Sequence, residues 1–141
     1  VPAKIRKQLE GRTSWELSVS PGWRSLWEET VKSKALGDEK DKFGMNTARV
    51  GQVSFLMELA GVEDAFKGIP NCIAPVHLPT EQQNVKAAVE ALVSLRGQIV
   101  HTGKVPDSLS KSHVTTWSDF VKSLTEKMDH VCREQCKMLL S

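Results

Sequence analysis

Helical periodicity is the constraint that removes most folds from consideration for this chain. Apolar residues fall at Val85, Ala88, Val89, Leu92, Val93, Leu95, Ile99 and Val100. That spacing gathers them on one broad face of a helix with 3.6 residues per turn. A half-buried strand needs strict alternation instead, and no segment of the sequence sustains it. Thr102 and Gly103 close the run, because glycine accepts the left-handed backbone of a helix C-terminus without steric cost. Pro106 cannot continue a helix. At the other end Thr80 is the expected N-cap, with Gln83 at capping-box spacing.

The same reading places three further helices. The first spans about 21–36, with Ser20 as N-cap and Pro21 at the first helical position. Trp23, Leu26, Trp27 and Val31 form its apolar face, and Glu28, Glu29, Lys32 and Lys34 its solvent face. Two tryptophans one turn apart can stack nucleobases, but on an amphipathic helix core anchoring is the favoured role. After the charged connector from Gly37 to Gly44, a second helix covers about 47–60. Asn46 is its N-cap, Met45 and Val50 stand at hydrophobic-staple positions, and Gly61 ends it. Val62–Lys67 adds a short helical turn that packs Ala65 and Phe66. The final helix begins near His113 or Val114 and runs almost to Ser141. Trp117, Phe120, Val121, Leu124, Met128, Val131, Cys132 and Leu139 form its stripe. The prediction is an all-α, four-helix bundle-like single domain over 1–141, with one or two short extra helices and a loosely attached segment at 1–19.

Length and composition narrow the function classes. At 141 residues the chain suits one domain with a real core, and 40% hydrophobic and 26% charged residues are ordinary globular values. No run approaches the roughly 18 apolar residues that a membrane span needs, and no signal-peptide pattern opens the sequence. The expected location is the cytoplasm. The chain opens on Val1 rather than Met, as expected of a domain excised from a longer protein. A net charge of +2 excludes a protein that coats nucleic acid but leaves room for one touching a few phosphates. The three cysteines, Cys72, Cys132 and Cys136, form no CxxC pair, and zinc would want tighter, repeated ligand pairs. No metal or cofactor is expected. His77, in the proline-bearing loop Gly68 to Thr80, reads as a surface residue without a partner.

Near the end of the long helix stand Arg96 and, five positions on, His101. Two apolar residues, Leu92 and Val93, precede the arginine at the right distance. Ile99 and Val100 directly precede the histidine, and Gly103 follows. In this frame the segment resembles the Arg-x4-His motif of the HEPN superfamily, of the RiboL-PSP-HEPN-like ribonuclease kind. The motif covers about a dozen residues, and the likeness in helical layout extends over about 20–140. The resemblance implies a metal-independent endoribonuclease, a toxin or defence effector whose homodimer forms a composite active site on RNA. It also implies an antitoxin or other regulatory protein partner. One position departs: the family usually places Asn, Asp or His directly after the arginine, where this chain has Gly97.

The residue types suit that chemistry. RNA cleavage without metal needs a base for the 2′-hydroxyl, an acid for the leaving 5′-oxygen and positive charge at the phosphate. Histidine serves the first two roles near neutrality, and arginine presents a fixed fork of donors to phosphate oxygens. On an ideal helix the two residues point roughly 140° apart. A two-fold axis that sets each beside its mate resolves this. Gln98 is a supporting amide, and Lys104, Lys111 and His113 are candidate RNA-phosphate contacts. The alternative is a non-catalytic helical module that dimerises or binds a protein partner, in which His101 is a helix-terminal cation and Arg96 a surface residue.

Overall fold

The computed structural model describes residues 22–37, 45 and 47–140. The chain is all-α. Among the described residues four α-helices, α1 (Gly22–Leu36), α2 (Val50–Leu59), α3 (Val85–Thr102) and α4 (Lys111–Leu140), are accompanied by two short 3₁₀ turns, Asn71–Ile73 and Thr80–Gln82, and no strand is present. Contacts divide the chain into two compact units, residues 1–47 with 51–64 and residues 48–50 with 65–141. The expected caps Ser20, Pro21 and Asn46, the segment 1–19 and most of the charged connector lie outside the described residues.

The first unit is organised on Leu59, which is fully buried beneath Trp27, Val31 and Leu56. Trp27 and Val31 stand four apart, the spacing of neighbours on one helical face. The Trp27 indole N–H donates to the Leu59 carbonyl at 2.6 Å, serving one of the carbonyls that the end of α2 leaves without an intrahelical partner. Trp27 is therefore a core anchor. Helix α2 closes as the sequence predicts. Gly61 at φ 89° lets Gly61 N–H reach the Glu58 carbonyl and Val62 N–H the Met57 carbonyl, at 3.1 and 2.8 Å, the paired bonds of a Schellman closure.

In the second unit Ala65, Phe66, Ile69, Ala74, Val85, Ala88, Val89, Trp117 and Phe120 are buried. Residues 62–67 bury Val62, Ala65 and Phe66 as expected, but they form turns and no helix. Asp64, in the middle of the stretch, stands at φ 45°, outside the right-handed helical region, and interrupts any regular helix.

The start of α3 differs from the expectation. Thr80 opens a 3₁₀ turn, and the N-cap is Asn84, whose side chain accepts the Ala87 N–H at 2.9 Å. Gln83 therefore precedes the cap and stands outside any capping box, and its amide N–H donates back to the Leu78 carbonyl at 2.9 Å. The Asn71 side chain accepts the Val85 N–H at 3.2 Å, so two of the free donors at this helix end are satisfied by asparagines. Helix α4 also starts earlier than expected, at Lys111. The Ser110 hydroxyl accepts the His113 N–H at 3.2 Å, making Ser110 the N-cap of a polar stretch that reads as loop in the sequence. Along the first half of α4, Trp117 and Phe120 are buried and Leu124 is half-buried, as the stripe predicts, but Val121, placed in the same stripe, is exposed.

Candidate functional site: the C-terminal half of α3 and the start of α4

The site begins with the cap that ends α3. Gly103 sits at φ 64° and its N–H bonds to the Ile99 carbonyl at 2.8 Å, the single-bond left-handed closure that glycine allows. The Thr102 hydroxyl donates to the Gln98 carbonyl at 2.7 Å, and the Lys104 N–H donates back to that hydroxyl at 3.2 Å. The last turn carrying His101 is thus fixed by backbone and side-chain bonds together.

Arg96 and His101 are both exposed. Among the described residues neither side chain bonds to another group in the chain. The five-residue offset on a regular helix turns them roughly 140° apart, so one copy does not converge both on a single small target. The Gln98, Lys104 and Lys111 side chains are exposed as well. Gly97 sits in the helix with open space around it, since a Cβ built there meets no atom within 4 Å.

Arg96 has a setting that sequence alone does not give. It lines a shallow groove of about 230 Å³ together with Leu92, Leu95, Ile99 and Val100 of α3, Leu109 of the connecting loop, and Val114 and Trp117 of α4. Every other lining residue is apolar, and Val100 and Val114 remain 68% and 53% exposed. His101 is not part of this lining. A guanidinium at the rim of an uncovered apolar groove can bind an anion while the groove takes an apolar partner surface.

His113 stands apart from the other candidates. Its ring stacks on His77 with centroids 4.2 Å apart and planes 14° from parallel, and Trp117 meets His77 edge-on at 5.5 Å. His113 Nδ1 lies 3.1 Å from the Ser108 carbonyl and 3.5 Å from the Ser110 N–H. His77 is half-buried, and its Nδ1 is enclosed without a hydrogen-bond partner. Burial, and secondarily the charge of His113, hold the His77 ring below the usual imidazole range. The expectation of a surface His77 without a partner is therefore corrected: an aromatic stack draws it in. Residues 36 positions apart meet here, and no local pattern signals the pairing.

Among the described residues no group of three or more His, Cys, Asp or Glu side chains could hold a metal ion, and no helix is long and apolar enough to cross a membrane. No family model, curated protein or solved structure matches the chain.

Proposed function

We propose that this chain is a metal-independent endoribonuclease of the HEPN type, acting on RNA as a homodimer. The observation that carries the reading is that Arg96 and His101 both lie exposed and unpaired near the end of α3, Arg96 as part of the lining of an uncovered apolar groove. In a dimer whose two-fold axis passes by this end of α3, two arginines and two histidines gather at one composite site. One imidazole takes the proton of the 2′-hydroxyl as its oxygen attacks phosphorus. The other gives a proton to the departing 5′-oxygen as the P–O5′ bond breaks, leaving a 2′,3′-cyclic phosphate. Arg96 carries the developing phosphorane charge. Gln98, Lys104 and Lys111 are the supporting contacts to RNA. His113 is the weakest of them, since its ring is engaged by His77. A cytoplasmic toxin or defence role held in check by a protein partner fits such an activity.

A second reading is favoured by Gly97. It stands where the motif usually has a polar residue, and a helix-interior glycine costs about 1 kcal/mol relative to alanine. That cost is explained if another backbone approaches there, whether or not chemistry follows. In this reading the chain is a non-catalytic helical dimerisation or protein-binding module.

Incubation of mixed single-stranded RNA with the protein in EDTA separates the two. The expected result is cleavage to cyclic-phosphate ends by the wild type. Arg96→Ala and His101→Ala should each lose roughly 10²- to 10⁴-fold in rate, the usual worth of a general acid–base or charge-stabilising group. Equal cutting by His101→Ala removes the assignment, and no cutting by any form leaves the module reading in its place.

A further inference from the structure

The loop from Gly68 to Thr80 is held at both ends by bonds with nothing to titrate. Asn71 accepts from Val85 at one end, and the amide of Gln83 donates to Leu78 at the other. Its middle is held differently, by the face of one imidazole laid on another at 4.2 Å. Below His77 lies the edge of Trp117, itself only 7% exposed and also a wall of the groove beside Arg96.

We infer that the His77–His113 stack is an acid-opened clasp, which pins this loop over Trp117 when both rings are neutral and releases it when they are protonated.

Two neutral imidazoles attract through dispersion and desolvation of their faces, as other aromatic pairs do. Two imidazolium ions at the same separation repel, and the partly buried site weakens the screening that water gives at a surface. Among the described residues no charged group stands ready to compensate, and the one acceptor, the Ser108 carbonyl 3.1 Å from His113 Nδ1, serves His113 alone. The charged residues nearest to the two histidines along the chain are Glu81 beside the loop, Asp107 before α4, and Lys111 and Asp119 on α4, which carries further charges from Lys122 onward. Among the described residues none of them bonds to either ring, and His113 is the one charge that acts on His77. The enclosed His77 Nδ1 adds to the asymmetry. A proton placed there finds no acceptor in the closed form, whereas water accepts it once the loop lifts. The clasp is independent of whether Arg96 and His101 cleave RNA.

The test is amide hydrogen exchange of the whole chain, corrected for intrinsic rates, at about pH 7.5 and about pH 5, on either side of the histidine range. Ala74 and Leu78 report the loop through their bonds to Asn71 and Pro75, and Ala88 reports the first turn of α3 through its bond to Asn84. The expected result is a fall in protection at Ala74 and Leu78 of roughly fivefold or more in acid, the factor that two unit charges about 4 Å apart impose even in bulk water. Protection at Ala88 should hold. The double variant His77→Phe/His113→Phe keeps two stacked rings and should hold the loop at both pH values. In parallel, imidazole NMR signals of the wild type should place loop opening at the titration of His77, a readout that needs no variant. Loop protection that does not change with pH in the wild type overturns the clasp. So does a loop that opens in acid without following His77, or a folded double variant that keeps the acid response.

Discussion

The Glu90 carboxylate, part-way along α3, accepts the Val50 N–H at 2.8 Å and the Arg49 guanidinium at 2.7 Å. A side chain from one helix thereby serves as the N-terminal anion of another. The first N–H groups of α2 have no intrahelical acceptor, and negative charge is favoured at that end of the dipole. Glu90→Ala is expected to destabilise the fold by roughly 1–2 kcal/mol, the range seen when a helix loses its N-terminal acceptor. Arg49→Ala should cost less, roughly 0–1 kcal/mol, because that ion pair is exposed. Urea unfolding of both variants checks the order, and a larger loss for Arg49→Ala would contradict it.

Trp27 contributes both bulk and a donor to the first unit, and substitution separates them. Trp27→Phe keeps a ring above Leu59 and leaves its carbonyl short of one partner, an expected loss of roughly 1–3 kcal/mol. Leu59→Ala opens a cavity at a fully buried position and should cost roughly 2–5 kcal/mol. Thermal unfolding that ranks the two the other way would mean that the hydrogen bond, and not packing, dominates this core.

Gly97→Leu divides stability from association. Since a Cβ there meets nothing within 4 Å, the isolated fold should gain up to about 1 kcal/mol in helix propensity. Self-association by sedimentation should weaken, because the added side chain occupies the surface offered to a second backbone. A variant that is both more stable and equally associated would remove the glycine from any interface.

His77 makes stability depend on pH with a definite sign. Its pKa in the fold is lowered, by burial first and by His113 second, so the unfolded chain takes up the proton before the folded one does. The contribution is fully present above the unfolded value of about 6.5 and is lost as pH falls through the folded value. Denaturation midpoints should therefore drop on acidification through that window, and drop less in His77→Phe. Identical acid sensitivity in the two proteins would assign the effect to other groups.

How far the sequence could be read follows from the range of the forces involved. The apolar period of α3, its closure at Gly103 and the closure of α2 at Gly61 are set by residues within a turn or two, and they stand where the pattern places them. The start of α3 is misplaced because Thr80 and Asn84 both have capping chemistry. Asn84 takes the cap, and Asn71, fourteen residues before Val85, serves the neighbouring donor, a pairing that local pattern does not signal. Helix α4 begins at Lys111, as a lone Ser110 cap within Ser-Lys-Ser reads like loop until its bond to His113 is seen. The His77–His113 stack and the groove beside Arg96 join residues far apart in the chain, and periodicity carries no information about such pairs.

One consequence of the turn before α4 concerns tautomers. His113 Nδ1 faces the Ser108 carbonyl, which requires a hydrogen on that nitrogen, and the Ser110 N–H, which requires a lone pair. A neutral ring satisfies one claimant at a time. Protonation ends the competition in favour of Ser108, and the Ser110 amide loses its side-chain acceptor. The same proton that pushes His113 away from His77 thus ties it more firmly to the turn behind it. On the proposed clasp the two rings would not part symmetrically: His113 would stay with its helix, and the loop bearing His77 would be the piece that moves.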